Sequence, residues 1–232
     1  MTIKTRCTTT RTVDIIKEWE LNEKPLHVEA IRSTPFGRFI DIPPMRIKKC
    51  LLEKILSIWN PQRESFVVKG RKLRFTASDV AIIFSLSARG KPVDLESKSP
   101  TSVFYHQYFT SQNEKYPTAS AIKKVMKALV AKDDEKSVKD FARLFILHLF
   151  ATFLFCTSNY ACLFGLVDIV NDLDSIGEYA WAQAIHLDVV KAIKRSSRNI
   201  VKVGGSDATD GKGYFSDCVI ALTVSSISLY IP

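Results

Sequence analysis

The sequence predicts a mainly α-helical, multi-helix globular domain with one small β-hairpin near residues 65–75. Residues 144–167 contain no Asp, Glu, Lys or Arg and form the longest apolar stretch of the 232-residue chain. Several other stretches repeat their apolar residues at helical spacing. Only near residues 65–75 does the apolar period change to two, which is typical of β-strands.

The chargeless stretch either lies at the centre of a core or crosses a membrane, because exclusion of water stabilises each large apolar side chain by about 1.5–3 kcal/mol. A membrane-spanning helix needs about 20 consecutive apolar residues. The strongly apolar run here, 144–156, is shorter and contains His148. We therefore predict a buried helix over 137–156, with membrane insertion as the less favoured alternative.

Polar residues define the two ends of this helix. Ser137 and Asp140 have the spacing of a capping box, in which side chains bond the first free backbone N–H groups. At 157–160 the sequence Thr-Ser-Asn-Tyr indicates a turn, because such side chains compete for backbone hydrogen bonds. A second apolar segment is expected over 161–170.

Composition limits the class of protein. The formal net charge is +9, which favours acidic partners such as nucleic acid, or simply reflects a basic soluble surface. A chain of this length can bury a core without disulfides or metals. The five cysteines form no CxxC pair, as is typical of reduced thiols in an intracellular protein. The N-terminus has no apolar signal core, which predicts the cytosol or the nucleus.

In the N-terminal part, we predict a short helix over 13–20 and a turn at 35–37 whose apolar neighbours anchor it. An amphipathic helix is predicted over 45–60, and Pro61 ends it. The hairpin follows, with Lys-Gly at 69–70 as a two-residue turn.

Thr76 and Asp79 have the spacing of an N-cap residue and its partner three positions later, so a helix is predicted to begin there. Residues 91–118 contain three prolines and are interpreted as a long connection with one short helix. The next helix is predicted over 119–132, with lysines on its outer face.

The C-terminal part is predicted to continue with a break at 170–174 and a helix from about 175 or 178 to 195. Glycines make residues 203–213 a loop. The final apolar segment, 215–229, is interpreted as a helix, and its β-branched residues leave a strand as the alternative.

No group of residues has the spacing of a catalytic or metal site. The histidines, His27, His106, His148 and His186, are dispersed, and His148 is expected to be a hydrogen-bonded core residue. Asp172, Asp174 and Glu178 are interpreted as helix-start carboxylates rather than as an acid–base pair. No nucleophile motif or phosphate-binding loop is present. We therefore predict no catalytic residue, no metal and no cofactor.

Basic residues cluster between positions 46 and 74, where only Glu53 and Glu64 are acidic. Cations on a hairpin can contact phosphates, and such binding would be non-specific and sensitive to salt. A plain solvated basic face is the alternative. The candidate nucleic-acid-binding residues are Lys48, Lys49, Lys69, Arg71, Lys72 and Arg74.

Several motifs, taken in order, resemble the plant mobile domain. The N-terminal signature of that family has four parts, and this chain shows a similar sequence for each: a helix that ends in Trp, a hairpin, a T-x-x-D-V-A helix start at 76–81 and an L-x-x-x-G-x-P-V segment at 86–93. Residues 170–184, VNDLDSIGEYAWAQA, resemble the second block of the family, and 216–222 resemble the third. The sequence STPFGRF at 33–39 is similar to a motif of related transposon-derived plant proteins. The residues that match the motifs are Trp59, Phe66, Thr76, Asp79, Val80, Gly90, Asp172, Tyr179 and Trp181.

The chain also departs from the family pattern. Val170 and Ala182 stand where the family usually has Leu and Gly, and the segment after 222 lacks the usual Trp and Glu. The resemblance therefore implies an N-terminal arm with a short helix at 1–30 and a C-terminally truncated helical domain of plant mobile type at 31–232.

The resemblance implies an interaction module rather than an enzyme. We expect protein partners, a nuclear location with the cytoplasm as the alternative, and a role in a complex for transposon or gene silencing or genome maintenance. One alternative is a basic domain that binds DNA or RNA non-specifically. The other is a protein associated with membranes through 144–167.

Overall fold

A computed structural model describes residues 4–45, 47, 49–110, 116–203, 214–215 and 218–225. This part of the chain is mainly helical, as predicted, and it also contains two small β-sheets. Its helices are α1 (Thr10–Glu18), α2 (Pro25–Arg32), α3 (Lys49–Ser57), α4 (Ala77–Phe84), α5 (Val103–Tyr108), α6 (Ala119–Leu129), α7 (Glu135–Leu149), α8 (Phe164–Val170), α9 (Trp181–Val203) and α10 (Val219–Val224). Its strands are β1 (Lys4–Thr5), β2 (Trp59–Asn60), β3 (Ser65–Val68), β4 (Arg71–Leu73) and β5 (Tyr214–Phe215).

The chargeless segment forms the centre of the core. Helix α7 continues directly into a π-helical turn at Phe150–Leu154, and every residue from 144 to 156 is buried. Helices α2, α6 and α8 pack against α7. Among the described residues, no helix has the length and apolarity needed to span a bilayer. The prediction of a buried helix is therefore confirmed.

Helix α7 begins about one turn earlier than its capping motif predicted. Asp134 is the N-cap, and its carboxylate accepts a hydrogen bond from the backbone N–H of Ser137 at 2.9 Å. Ser137 and Asp140 therefore lie within the helix, and the predicted capping box is wrong. The carboxylate of Asp140 instead bonds side chains of its own helix and of α5.

The predicted hairpin is confirmed. Strands β3 and β4 pair antiparallel, and the turn between them places Lys69 at φ 47° and Gly70 at φ 76°. Two consecutive residues of positive φ are what a tight hairpin turn of type I′ requires. Strand β2 adds a third, short strand, in which Trp59 lies opposite Phe66.

The helix predicted over 45–60 is shorter at both ends. At its start, the backbone N–H of Met45 donates to the Thr9 hydroxyl at 2.7 Å, so this residue is outside α3. At its end, residues 59–60 pair with β3 as a strand. Long-range hydrogen bonds thus override a continuous helical pattern of apolar residues.

The helix start predicted at Thr76 is confirmed, and the helix predicted over 119–132 is confirmed as α6, which ends at Leu129. The Thr76 hydroxyl accepts from the backbone N–H of Asp79 at 3.3 Å, and the Asp79 carboxylate accepts from the backbone N–H of Thr76 at 2.7 Å. The long connection contains the one expected short helix, α5. Helix α2 was not predicted, although Pro25 occupies its first turn, a position that suits proline.

The C-terminal elements follow the prediction where the structure describes them. A 3₁₀ turn at Ile176–Glu178 leads into α9, which extends beyond the predicted end at 195. Strand β5 pairs in parallel with β1. Helix α10 confirms the helical interpretation of the last apolar segment over 219–224. The predicted loop at 203–213 lies outside the described residues from position 204 onward.

Candidate functional site

The first two motif blocks meet in the folded chain. The backbone N–H of Lys91 donates to the carbonyl oxygen of Glu178 at 2.8 Å, and the N–H of Ala180 donates back to the carbonyl of Lys91 at 2.9 Å. The N–H of Ala182 donates to the carbonyl of Ser87 at 2.9 Å. We call residues 87–91 and 178–182 the motif junction.

Gly90 allows the close approach at this junction. Its φ is 135°, which side-chain-bearing residues rarely adopt, and a Cβ atom there would collide with the carbonyl group of Glu178. The glycine of the L-x-x-x-G-x-P-V exit is therefore required by backbone packing against the second block.

Trp181 anchors the second block in the core. Its side chain is fully buried, and its indole N–H donates to the carbonyl of Ile176 at 2.7 Å. Its ring lies 5.1 Å from the rings of both Phe36 and Phe150, measured between centroids. The rings of Phe36 and Phe150 are 5.0 Å apart, so the three side chains form one aromatic cluster.

The other motif residues also occupy positions in the framework. Trp59 and Phe66 pack edge to face across β2 and β3, with ring centroids 4.9 Å apart. Val80 is fully buried in α4. The Asp172 carboxylate accepts from the backbone N–H groups of Asp174 and Ser175, and hydrogen bonding to Ser175 lowers its pKa.

A buried carboxylate cluster joins α5 to α7. The Asp140 carboxylate accepts from the Tyr108 hydroxyl at 2.6 Å, from Lys136 at 2.9 Å and from Arg143 at 2.6 Å. Burial opposes its ionisation, but these three hydrogen bonds outweigh that effect and lower its pKa. Burial, reinforced by the neighbouring carboxylate, raises the pKa of Tyr108. An acid with a low pKa and a phenol with a high one are poorly suited to proton transfer near neutral pH, so the cluster suits a structural ion pair.

The histidines do not come together. No group of three or more His, Cys, Asp or Glu residues within the described ranges could hold a metal ion. His148 is buried, as predicted, and burial lowers its pKa to about 3. His27 is buried with its ring 4.9 Å from that of Phe141, and burial lowers its pKa. His186 Nε2 lies 2.9 Å from the carbonyl oxygen of Phe75, at the base of the hairpin.

Most of the thiols are buried. Cys7, Cys156, Cys162 and Cys218 are inside the protein, whereas Cys50 is exposed on α3. Burial raises the pKa of Cys162 and of Cys218, which keeps both groups in the neutral thiol form. Their burial agrees with the interpretation of the apolar cysteines as core residues.

Four candidate nucleic-acid-binding residues lie on or directly after the hairpin, and Lys49 lies on α3. Lys49, Lys69, Arg71, Lys72 and Arg74 are all exposed, and Lys48 lies outside the described residues. Arg71 lies opposite Val68 and Lys72 opposite Val67. Neighbouring positions of a strand point to opposite faces, so these cations do not form one flat basic surface.

Cavities open between segments that are distant in the chain. One, of about 660 Å³, lies between 93–96, 155–158 and α9. A mainly apolar cavity of about 280 Å³ lies between α4 and α10. A third, of about 520 Å³, lies between the base of the hairpin and α9. Local patterns in the sequence do not indicate these cavities, because each joins segments distant in the chain.

Comparison with known proteins places the chain in a family. The family model described as "Domain of unknown function (DUF8566)" matches residues 5–223. Protein MAIN-LIKE 2 of Arabidopsis thaliana is 24% identical over 192 residues, which cover 78% of this chain and 28% of that protein. Protein MAIN-LIKE 1 of the same plant is 22% identical over 195 residues, which cover 79% and 38%.

The chain thus spans between 28% and 38% of the length of these two relatives. No solved structure matches it. Since the family model covers almost the whole sequence, from the first strand to α10, the chain belongs to the DUF8566 family, and it is related to the MAIN-LIKE proteins of plants.

Proposed function

We propose that this chain is a non-catalytic interaction module of plant mobile domain type. It acts through protein partners in a nuclear complex for transposon or gene silencing or genome maintenance. The observation that supports this proposal most is that the motif residues have structural roles. Gly90 and Trp181 hold the fold together through a close backbone contact and an aromatic cluster, which leaves the surface to carry the activity.

The surface formed by α4 and α10 is suited to contact a protein. Ile82 on α4 is 80% exposed, and Val224 on α10 is 54% exposed. Val224 also lines the mainly apolar cavity between the two helices, as does Ile83, the chain neighbour of Ile82. Exposed apolar side chains beside an apolar cavity are typical of protein contact sites. We call this region, Ile82, Val224 and the cavity, the α4–α10 surface.

Affinity capture from plant nuclear extract tests the proposal. The wild-type chain is expected to recover a reproducible set of proteins. Ile82→Asp should lose them, because a charge in an apolar contact is costly to desolvate. Val103→Asp is the matched control, because Val103 is 77% exposed on a different helix, α5.

Two outcomes would contradict this proposal. One is the absence of any protein recovered reproducibly above a bait-free control. The other is an equal loss of partners in both variants, which would show that binding does not depend specifically on the α4–α10 surface. Thermal unfolding of each variant should match that of the wild type, because both positions are exposed.

The second candidate function is non-specific binding of DNA or RNA. Among the described residues, the structure gives the side chains of Lys69, Arg71, Lys72 and Arg74 no ion-pair partner. Cations without a protein partner remain available to phosphates.

A filter-binding assay at low salt tests this second function. Replacement of Arg71, Lys72 and Arg74 by Ala should weaken retention of nucleic acid strongly and reduce the salt dependence of what remains. The matched control replaces Lys17, Lys124 and Lys127 by Ala, which removes the same charge from exposed positions on α1 and α6. Equal retention by both variants would exclude the hairpin as the binding site.

A further inference from the structure

The cavity of about 520 Å³ beside the hairpin has walls from three parts of the chain. The turn at 61–64 forms one wall, residues 74–77 form the second, and α9 forms the third through His186 and Val190. Trp59 of β2 also lines it. We call this cavity the hairpin pocket, and its size lies in the usual range for small-molecule sites.

The charges around the hairpin pocket favour an anion. Arg63 and Arg74 line it with exposed side chains, and neither has an ion-pair partner among the described residues. The one carboxylate in the lining, that of Glu64, lies 2.6 Å from Lys194 Nζ. The carboxylate is thus neutralised by a residue outside the lining, while the two guanidinium groups are not.

Two ring nitrogens of the lining residues lack a partner. Trp59 is 92% buried, and its Nε1 has no hydrogen bond. His186 Nε2 lies 2.9 Å from the carbonyl oxygen of Phe75, which can only accept, so Nε2 carries the hydrogen. The other nitrogen, Nδ1, is buried without a partner. Buried polar atoms are paired in most proteins, and unpaired ones call for an explanation.

We propose that the hairpin pocket binds a phosphomonoester group. Arg63 and Arg74 contact its oxygens through their planar guanidinium forks, which match phosphate geometry. The indole N–H of Trp59 donates to a third oxygen, and His186 Nδ1, which carries no hydrogen, accepts from the P–O–H group of the monoprotonated ester. Donors on Trp59, Arg63 and Arg74 suit a tetrahedral group with three terminal oxygens better than a planar carboxylate with two, and the acceptor on His186 suits the hydroxyl group that a carboxylate lacks.

Entry of the phosphate involves the turn at 61–64. The two ring nitrogens are shielded from water, so a ligand oxygen reaches them when this turn shifts. The turn is held by a hydrogen bond of 2.9 Å from the Arg63 N–H to the Asn60 side chain and by the exposed pair of Glu64 with Lys194. An exposed ion pair resists such a shift only weakly.

Titration of the full chain at constant ionic strength tests the proposal. Inorganic phosphate, adenosine 5′-monophosphate and a phosphoserine peptide are added separately, with binding measured by calorimetry. The indole N–H resonance of Trp59, assigned with Trp59→Phe, reports the site. We expect saturable binding of at least one probe, with a shift of this resonance. The probe that binds most tightly then identifies the source of the phosphomonoester.

Substitutions distinguish the pocket from the general positive charge of the chain. Arg63→Ala and Arg74→Ala should each weaken binding about tenfold or more, since each removes a charge-assisted contact. Arg71→Ala is the matched control, because it removes the same charge from β4 at a position outside the lining. All three positions are exposed, so the thermal midpoint should stay unchanged.

Three results would overturn the proposal: no saturable binding of any probe, binding that Arg63→Ala and Arg74→Ala leave intact, or an equal loss in Arg71→Ala. Neither partner capture nor nucleic-acid retention enters this test. Arg74 is shared with the proposed nucleic-acid contacts, and Arg71→Ala separates the two functions because Arg71 belongs to those contacts but not to the pocket.

Discussion

Lys91 and Glu178 form two contacts, a hydrogen bond between their backbones and an ion pair between their side chains. The backbone N–H of Lys91 donates to the carbonyl oxygen of Glu178 at 2.8 Å, and Lys91 Nζ lies 2.5 Å from Glu178 Oε2. The side-chain pair is exposed to water and contributes little. The backbone bond belongs to the motif junction, where two blocks separated by about 90 residues of sequence are fixed together.

Gly90→Ala is expected to destabilise the protein strongly. The added methyl group would meet the carbonyl of Glu178, and φ at this position is 135°. We expect the free energy of unfolding in urea to fall by about 2–4 kcal/mol. Gly70→Ala is the control, because φ there is 76° but no atom lies within 4 Å of the new Cβ. It should cost about 1–2 kcal/mol. Equal losses would contradict the close contact at the junction.

Asp140→Asn tests the buried carboxylate cluster. The variant keeps the shape of the side chain but removes the charge that Lys136 and Arg143 contact. Its free energy of unfolding at neutral pH should fall by about 2–4 kcal/mol. Glu135→Gln is the control, since the Glu135–Lys139 pair is exposed, and it should change stability little.

The same variant has a predicted pH dependence. The pKa of Asp140 is lower in the folded chain than its ordinary value of 3.8. The folded state then binds the proton less readily than the unfolded state. The stabilisation is complete above about pH 3.8 and is lost as the pH falls towards the folded-state pKa. In urea unfolding, the Asp140→Asn variant should therefore lose less free energy of unfolding than the wild type as the pH falls below about 3.8. Parallel pH profiles would contradict this account.

His148 is expected to weaken the protein in acid. Burial lowers its pKa from 6.5 to about 3, so the unfolded chain takes up a proton that the folded chain does not. Stability should fall by about 1.4 kcal/mol for each pH unit between about 6 and 3 on account of this residue. His148→Gln should show a shallower loss between pH 6.5 and 4.5, whereas His106→Gln, at an exposed position, should follow the wild type. An unchanged slope in His148→Gln would contradict the burial of a neutral imidazole.

Phe150→Ala tests the interior position of the chargeless segment. Phe150 is fully buried and contacts the rings of Phe36 and Trp181. Its truncation should lower the free energy of unfolding by about 3–5 kcal/mol. Val103→Ala, at a position 77% exposed, should have almost no effect. A wild-type protein that stays monodisperse only in detergent would contradict the assignment of this segment to the core.

Local signals in the sequence were sufficient for much of the fold. The Lys-Gly dipeptide predicted the hairpin turn because Gly70 readily adopts the positive φ that such a turn requires. The Thr76–Asp79 spacing predicted a helix start because both capping bonds form within four residues. The absence of charge over 144–156 predicted the core because burial of charge is costly.

Features that depend on distant contacts were not accessible from local patterns. Residues 59–60 continue a helical pattern but form a strand, since they pair with β3. Tyr108 reaches Asp140 across 32 positions, and His186 reaches Phe75 across 111. The hairpin pocket depends on the second of these contacts, so its residues could be singled out only after the chain was folded.

Amide hydrogen exchange at Lys91 and Ala180 tests the central claim most directly, which is that the motif residues build the framework of the fold. Both N–H groups are hydrogen-bonded across the motif junction. We predict that they exchange only through global unfolding, with a free energy of opening that falls with urea as steeply as that of the whole domain. Exchange through a local opening, with a free energy that does not change with urea, would contradict the claim that the motif residues build the framework.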